Sequence, residues 1–485
     1  MRWFGSNPDF EEWLYLEANP DVEDALLRGE FLSAREHWLK HGRKEGRIAS
    51  LAQLKGPFPP EWNEIEYLRL NPDVYAAVRK GEWESGYRHW KAHGAAEDRP
   101  GGLNPFRQTP PAEAFRNYPA GCNYYGFHLQ DIGLGAAARS CFEIISKVLG
   151  NAVAIPLPWD TEDWEKEPFR PNPEKAPYGL NLLHVNPDAL PQFLYHHGVD
   201  SLRGRVNIGY WAWELHAGYA FWGRLTRLMH EIWVPSRYVA KAVETISEAP
   251  VAVVPHVVDQ LPARADLSRE DWGWPPQAFV FLYVFDVAST IQRKNPVGLL
   301  RAFHAAFYDR PDVLLVLKYN HAQRDAAGIA AMERLAAGLP NVRLISDALP
   351  LERLCSLYQL CDCYVSPHRS EGFGLTIAAA MYYGKPVIAT GFSGNMDFTD
   401  ASNAFLIDYT LAAVAEDAGE YRKNFVWAAP HTSHLSRLLH EVIEHPEEAR
   451  TRAARGQETV RRCLSRAAVE AVIRRQLAPF LPADC

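Results

Sequence analysis

Short apolar runs alternate with longer helical patterns along the chain from about residue 120 onward. Ten of these runs are rich in Val, Ile, Leu and aromatic residues: NAVAIPL, GLNLLHV, RVNIGYW, EIWVPS, VAVVPH, FVFLYVF, VLLVLKY, VRLIS, CYVSP and KPVIAT. Short strands separated by helices are typical of α/β domains with parallel sheets. A polar stretch with prolines around residues 259–276 divides the runs into two sets of five. The pattern therefore predicts two Rossmann-like domains that face a cleft, with ligands at the carboxyl ends of the strands.

The first 100 residues follow a different pattern, because residues 15–47 and 67–99 repeat one another at a constant offset. Each copy has an Asn-Pro-Asp segment, which is typical of a helix start, and a later glycine, which is typical of a helix end. An α-helical repeat region over residues 1–100 is therefore expected before the α/β domains. Residues 101–119 are rich in Pro and Gly and are interpreted as a linker.

Each repeat places two histidines four positions apart, His37 with His41 and His89 with His93. This spacing puts both rings on one helix face and could hold a metal ion. The alternative is that the histidines pack around the neighbouring tryptophan of each repeat. Because neither copy supplies a third ligand, no metal site is expected, and the repeats are interpreted as a module that docks an acceptor or a protein partner.

The composition excludes several classes of protein. The formal net charge is -8, which argues against nucleic-acid binding because that affinity depends on neutralising phosphates. The chain has no apolar run of about 18 residues and no signal-like start, so a cytoplasmic location is expected, with peripheral attachment at the inner face of a membrane left open. The seven cysteines lack CxxC spacing, so neither a disulfide framework nor a zinc site is indicated.

The segment SPHRSEGFGLTIAAAMYYGKPVIATGFSGNMDF, residues 366–398, carries the most chemistry. A strand is expected to end near Pro367 and a helix to begin near Thr376. Gly372 and Gly374 between them would allow a ligand to approach the backbone closely, and the helix start would favour a phosphate. The carboxylate of Glu371 can accept hydrogen bonds from sugar hydroxyls.

This segment closely resembles the donor-binding motif of family 4 glycosyltransferases. The resemblance implies the GT-B fold, with an acceptor domain over residues 120–262, a donor domain over 275–465 and a final helix over 466–485 that can cross back to the first domain. It implies a sugar contact for Glu371 and donor contacts for Gly372, Phe373, Gly374, Leu375 and Thr376. The family's second acidic residue, which binds ribose, is replaced by Ala379.

A second segment, FDVASTIQRKNPVGLLRAFHAAF at residues 285–307, resembles the family's loop that grips the donor diphosphate. Arg293 and Lys294 occupy the positions of its basic residues. Ser289 lies in the region where many relatives carry a further arginine. Lys318, at the end of VLLVLKYN, is interpreted as another cation at the ligand edge, with a surface lysine as the alternative.

In the first domain, residues 124–144 resemble the family's opening strand, glycine loop and helix. Residues 207–225 resemble a subgroup that builds bacterial surface polysaccharides. The acceptor or loop candidates are His128, Asp131, Gly133, Gly135, Trp213 and Glu214. Trp211 is expected in the core. His184, Asn186 and His256 also fall at strand ends and are weaker candidates.

The function implied is transfer of a sugar from a nucleotide-sugar donor to a glycan, lipid-linked or protein acceptor, with retention of the anomeric configuration. The resemblance implies no metal and no cofactor. One alternative is phosphorolysis or epimerisation on the same fold. The other is a binding protein whose catalytic site has decayed, as the alanine at position 379 would suggest.

Overall fold

The computed structural model describes most of the chain beyond residue 107 and part of the segment before it. The described residues are 10, 15, 18–19, 21–22, 25, 30–31, 34–50, 53, 62, 64–97, 99, 108–128, 133–157, 176–197, 201–219, 222–259, 261–262, 267–415, 421, 423 and 425–481.

The described α-helices are α1 (Ala34–His37), α2 (Glu64–Leu70), α3 (Pro72–Lys80), α4 (Gly86–His89), α5 (Pro111–Asn117), α6 (Gly133–Leu149), α7 (Leu190–His197), α8 (Trp222–Thr226), α9 (Arg237–Glu244), α10 (Ile291–Lys294), α11 (Pro296–Phe307), α12 (Ala326–Ala337), α13 (Leu351–Leu360), α14 (Leu375–Tyr382), α15 (Thr432–Glu444), α16 (Pro446–Cys463) and α17 (Arg466–Leu477). The described strands are β1 (Cys122–Gly126), β2 (Ala152–Pro156), β3 (Leu180–His184), β4 (Val206–Tyr210), β5 (Glu231–Val234), β6 (Val251–Val253), β7 (Phe279–Asp286), β8 (Val313–Asn320), β9 (Val342–Ile345), β10 (Cys363–Ser366), β11 (Val387–Thr390), β12 (Phe405–Ile407), β13 (Tyr409–Ala413) and β14 (Val426–Pro430).

The first sheet is entirely parallel, in the order β2-β1-β3-β4-β5-β6. Strands β1, β3 and β4 are buried along their whole length, which explains their nearly continuous apolar sequence. The few polar residues in these strands pair with one another across the sheet. Asn123 donates to Asn181 at 2.9 Å, and Asn181 donates to Asn207 at 2.8 Å.

The second sheet is also parallel, in the order β12-β11-β10-β7-β8-β9. The chain adds β8 and β9 on one side of β7 and then adds β10, β11 and β12 on the other side. In open α/β sheets this switch point is where the carboxyl ends of the strands leave room for a ligand. The sequence pattern predicted both parallel domains correctly, but each sheet has six strands rather than five. Strand β1 was expected only from the resemblance over residues 124–144, and the three-residue strand β12 was missed.

The antiparallel pair β13 and β14 was not foreseen either. It belongs to the second half of the chain, yet Trp427 of β14 and two buried residues between the strands pack against the first domain. Val414, Tyr421 and Trp427 share a hydrophobic cluster with Trp213 and Trp222. The pair therefore forms part of the boundary between the two domains.

Helix α17 lies on the first domain. Its buried residues Val469, Ile473 and Leu477 share a core cluster with Cys122 of β1 and Ile144 of α6. The Lys147 and Glu470 side chains also form a salt bridge of 2.7 Å. Helix α17 is thus attached to the first domain by its buried apolar face and by this ion pair.

In the repeats, the two copies use the same internal contacts. His37 Nδ1 lies 2.7 Å from the hydroxyl of Tyr15, and His89 Nδ1 lies 2.9 Å from that of Tyr67. Each of these histidines is buried and is followed by a π-helical turn. Among the described residues, no group of three or more His, Cys, Asp or Glu side chains could hold a metal ion. The two histidines are held by these tyrosines, and their rings meet Phe31 and Trp83 edge-on, so the described ring contacts differ from the packing around Trp38 and Trp90 that the sequence suggested.

Candidate active site between the two domains

The segment after β7 brings two cations to the switch point. A 3-10 turn over Val287–Ser289 follows the strand, and the short helix α10 then carries both Arg293 and Lys294. The helix is bounded by two residues with left-handed backbone, Thr290 at φ 63° and Asn295 at φ 56°. Non-glycine residues adopt such angles only where the surrounding structure imposes them.

Arg293, Lys294 and Glu371 form a compact ion cluster. Lys294 Nζ lies 2.6 Å from Glu371 Oε1, and the Arg293 guanidinium lies 3.4 Å from Glu371 Oε2. Arg293 is only 1% exposed, and its guanidinium also donates to the carbonyls of Ser370, at 2.6 Å, and Ser289, at 3.2 Å. Since a buried charge requires partners, these bonds account for an arginine inside the protein.

Electrostatics keep this carboxylate ionised. Burial alone would raise the pKa of Glu371, but the adjacent Lys294 and Arg293 lower it to about 2. Burial and the neighbouring guanidinium lower the pKa of Lys294, while the bond to Glu371 opposes that change. The cluster is thus a fixed carboxylate between two cations, which is suited to hold a polyhydroxylated group next to a phosphate.

A loop after β11 holds the Glu371 backbone in place. Ser393 Oγ accepts a hydrogen bond of 2.8 Å from the Glu371 amide, and the Gly394 amide donates to the Glu371 carbonyl at 2.8 Å. Ser393 has φ 78°, an angle that is unusual for a residue with a side chain. A side chain at position 394 would collide with the Gly372 carbonyl, so the two loops need glycine there to pack this closely.

The first domain contacts the same loop directly. Ser236 Oγ donates to the Gly372 carbonyl at 2.6 Å, and the Ser370 hydroxyl donates to the Glu214 carbonyl. A side chain at Gly372 would lie 2.6 Å from the Trp213 carbonyl. The Glu214 carboxylate lies 3.8 Å from the Arg293 guanidinium. Both domains therefore contribute a carboxylate to the environment of one arginine.

The remaining donor-side candidates lie around this cluster. Phe373 is buried and meets the ring of His256 edge-on at 5.0 Å. Gly374 has φ 98°, and Leu375 begins α14. Thr376 follows it in α14, whereas Ser289 contributes its carbonyl to Arg293. The helix start expected near residue 376 is thus placed one residue earlier.

Lys318 is buried rather than on the surface. It is 1% exposed and lies near the end of β8, where its amino group donates to the Tyr319 carbonyl at 2.9 Å and to Asn320. Burial lowers its pKa to about 8. The surface alternative is therefore wrong. Nearby, His321 Nδ1 lies 2.8 Å from the Asp286 carboxylate, so this edge carries further polar groups.

Ala379 lies on α14 and is partly buried against the core of the second domain. The family's second carboxylate is absent at this position, and the neighbouring helix residues Ile377, Ala378 and Ala380 are buried and apolar.

Four candidates of the first domain, His128, Asp131, Gly133 and Gly135, come after β1 in the sequence. His128 is half-buried, with Nε2 3.3 Å from the Tyr124 carbonyl, and burial lowers its pKa. Gly133 and Gly135 lie in the first turns of α6. Asp131 lies outside the described residues. His128, Gly133 and Gly135 follow β1 at the carboxyl edge of the sheet and do not reach the ion cluster through any described contact.

The two tryptophans of the segment WAWE are core residues. Trp211 is fully buried, as expected, and Trp213 is 4% exposed. The Trp213 ring packs edge-on against Trp222 at 4.8 Å, and its indole nitrogen donates to the Ala217 carbonyl at 2.9 Å. Trp213 thus contributes packing and its backbone carbonyl, and its ring is not open to an acceptor.

The weaker candidates His184 and His256 belong to a stacked column. The His184 ring stacks on the Tyr210 ring at 4.2 Å, and the His256 ring stacks on the same tyrosine at 5.6 Å. Burial lowers the pKa of both histidines, that of His256 to about 4. Asn186 accepts a hydrogen bond of 2.9 Å from the Ala212 amide, so it supports the loop that carries Glu214.

Sequence reasoning missed three residues that contact the cluster. Ser393 was inside the quoted motif but was not selected, although its position beside glycines was a signal. Ser370 precedes Glu371 directly. Tyr421 had no sequence signal, because it contacts Glu214 and Arg293 from a distant hairpin.

Residues 279–422 match the family model described as glycosyl transferases group 1. The matched range contains Arg293, Lys294, Lys318 and the loop from Glu371 to Thr376.

Among curated proteins, the chain is 22% identical over 270 residues to trehalose synthase from Rubrobacter xylanophilus. The match covers 52% of this chain and 59% of that protein, so the chain spans less than two thirds of the relative.

Solved structures are similar over a larger part of the chain. Anabaena HepE in complex with UDP and glucose has a TM-score of 0.56 and 15% identity, over 74% of this chain and 99% of that one. A glycosyltransferase from Rickettsia africae has a TM-score of 0.55 and 14% identity, over 75% and 98% of the two chains. The GT-B arrangement of two Rossmann-like domains, predicted from the sequence, is confirmed. In the described part of the chain, no helix is both long and apolar enough to cross a membrane.

Proposed function

We propose that this protein is a retaining glycosyltransferase that moves a sugar from a nucleotide-sugar donor to a hydroxyl of a glycan, lipid-linked or protein acceptor. The observation that supports it best is the buried cluster of Arg293, Lys294 and Glu371 at the switch point of the second sheet. The family match over residues 279–422 and the UDP-bound structures of HepE, one of them with UDP-glucose, agree with such a donor.

In the proposed reaction, the bond between the anomeric carbon and the diphosphate oxygen breaks, and a bond from that carbon to the acceptor oxygen forms on the same face. The acceptor proton passes to an oxygen of the departing diphosphate. Arg293 and Lys294 stabilise the negative charge that develops on that group, and Glu371 accepts hydrogen bonds from the sugar hydroxyls. The proposal needs neither a metal ion nor a cofactor.

Loss of the second carboxylate weakens the donor site without removing it. A hydrogen bond to a charged group contributes about 1.5 to 3 kcal/mol, so Ala379 is expected to lower nucleotide affinity by roughly 10- to 100-fold relative to a glutamate there. Restoring it with Ala379→Glu should tighten binding.

The experiment is calorimetric binding of UDP-, GDP-, dTDP- and ADP-sugars to the wild type, Glu371→Gln and Arg293→Lys. Arg301→Ala is a matched control, because Arg301 is an exposed arginine on the adjacent helix α11. Selective binding of one donor that is lost in both site variants and kept in the control would support the proposal. Retention is then checked by the anomeric configuration of the first product formed.

A decayed site is the second candidate, and Ala379 is the residue that favours it. In that case no donor would bind to the wild type or to Ala379→Glu. The repeats would then carry the function.

We also infer that residues 1–100 dock an acceptor or a partner. Removing them should spare donor hydrolysis and weaken transfer to the true acceptor. An equal loss of both activities would contradict this role.

A further inference from the structure

Tyr421 comes from the second half of the chain but lies inside the aromatic cluster of the first domain. It is fully buried. Its ring lies 5.7 Å from that of Trp213 and 6.5 Å from that of Trp427. The neighbouring hairpin residue Phe425 extends the same contact, with its ring 5.3 Å from Tyr219. The side chain is therefore fixed by packing from both domains.

Two charged groups of the candidate site meet at this tyrosine. Its hydroxyl donates a hydrogen bond of 3.1 Å to Glu214 Oε2, and the Arg293 guanidinium carbon lies 5.6 Å from the centre of its ring. The other Glu214 oxygen, Oε1, faces Arg293 at 3.8 Å. A residue of one domain thus bridges the first-domain carboxylate and the second-domain cation.

These two groups differ in how firmly other residues hold them. Arg293 donates to the carbonyls of Ser289 and Ser370, so its position has independent support. Glu214 lies between β4 and α8 outside regular structure, and its side chain is 23% exposed. The Ser370 hydroxyl bonds to the Glu214 backbone carbonyl and to the Tyr238 hydroxyl, so it holds the Glu214 backbone and not the carboxylate. The tyrosine hydroxyl contacts the Glu214 carboxylate at 3.1 Å, closer than the arginine at 3.8 Å, and so sets the direction of this carboxylate.

We propose that Tyr421 is a positioning residue, whose hydroxyl aims the Glu214 carboxylate into the cleft and whose ring supports the Arg293 guanidinium. The inference rests on the proposed transferase function, because the reaction gives both groups their role. Glu214 contacts the sugar or the acceptor across from Glu371, and Tyr421 acts only through Glu214 and Arg293.

The two parts of the side chain have separable effects. Tyr421→Phe keeps the ring and removes the hydroxyl, so kcat should fall about 10-fold, as expected for a lost hydrogen bond to a charged group, while the affinity for the nucleotide diphosphate stays within twofold. Tyr421→Leu also removes the ring from beside Arg293. It should lower kcat by the same amount and weaken nucleotide binding several-fold.

The test combines kinetics with a double-mutant cycle in the full-length protein. Donor hydrolysis is measured for the wild type, Tyr421→Phe, Glu214→Gln and the double variant, and UDP, GDP and ADP are titrated by calorimetry. Tyr219→Phe is the matched control, since Tyr219 belongs to the same aromatic cluster. The double variant should be no slower than Glu214→Gln alone. Additive losses, or a Tyr219→Phe enzyme as slow as Tyr421→Phe, would overturn the proposal.

Failure of this inference is distinguishable from failure of the proposed function. A wild type that turns over a donor together with an unchanged Tyr421→Phe enzyme rejects the tyrosine role alone. A wild type without donor turnover rejects the transferase function. Nucleotide binding then tests whether the Tyr421 ring supports Arg293. Weaker binding by Tyr421→Leu would still support the contact with Arg293, whereas equal binding, or no binding by the wild type, would reject it.

Discussion

The carboxyl edges of the two sheets face the cleft with opposite chemistry. The second sheet presents ionised groups, with Arg293 and Lys294 around the Glu371 carboxylate. The first sheet presents a stack of neutral rings, with His184 and His256 on Tyr210. Both edges are buried, yet they satisfy their polar groups in different ways.

The difference shows two solutions to burying groups that can carry charge. In the second domain, opposite charges stay ionised because each has partners within 3.4 Å. In the first domain, burial keeps the histidines neutral by lowering their pKa. The first edge is therefore suited to neutral hydroxyls and the second to a diphosphate, and the following changes test that division.

The largest effect is expected from Arg293→Ala. It leaves Glu371 and Glu214 without their shared cation in a buried site, which should cost about 3 to 5 kcal/mol of unfolding free energy. Donor turnover should fall at least 100-fold. Urea unfolding and donor hydrolysis measure the two effects, with Arg301→Ala as the exposed control. A loss below 1 kcal/mol would show that the cluster is more hydrated than its 1% exposure implies.

The histidine column should make the first domain sensitive to mild acid. The folded pKa of His256 is lowered to about 4 by burial, so its contribution to stability is complete above pH 6.5 and is lost as the pH falls toward 4. Between pH 7 and 5 this amounts to about 2 kcal/mol. The Glu371 cluster keeps its contribution over that range, because its folded pKa is about 2.

Urea unfolding at pH 7 and pH 5 measures this difference, with His256→Gln as the variant that should flatten it. His434→Gln serves as the comparison. His434 lies in the second domain, where it pairs with Asp408 of the same domain. If the pH dependence of His256→Gln equals that of the wild type, the column is not the source.

The smallest effect is expected at Ser393, where backbone strain and a hydrogen bond oppose one another. Ser393→Ala loses the bond to the Glu371 amide but keeps φ 78°, so it should be about 1 kcal/mol less stable than the wild type. Ser393→Gly relieves the strain and should exceed Ser393→Ala by about 1 kcal/mol or more. Thermal unfolding of the pair decides this. The usual order, with alanine more stable than glycine, would mean that the position is unstrained.

Much of the second domain could be predicted, because its chemistry is local in sequence. The segment around Glu371 contains the strand end, the glycines and the helix start within a few residues, and Arg293 with Lys294 follows one strand. The contact between these segments is not local. Only the parallel pairing of β7 with β10 brings the two loops together.

The first domain was predicted less well for a physical reason. The sequence marks Trp213 as aromatic and near a strand end, but it does not tell whether the ring faces the cleft or the core. Packing against Trp222 and the hairpin decides that it is buried. The same holds for Lys318, which a strand end places at an edge without fixing its exposure.

The sequence by itself determined the α/β class, the two parallel domains and the place of the Glu371 loop between a strand and a helix, since periodicity and short motifs act over neighbouring positions. The tertiary structure alone decided which charges are partners. Glu214, Tyr421 and Arg293 are distant in the chain and meet only where the hairpin packs against the first domain. Long-range contacts of this kind depend on the packing of whole domains, which no local pattern encodes.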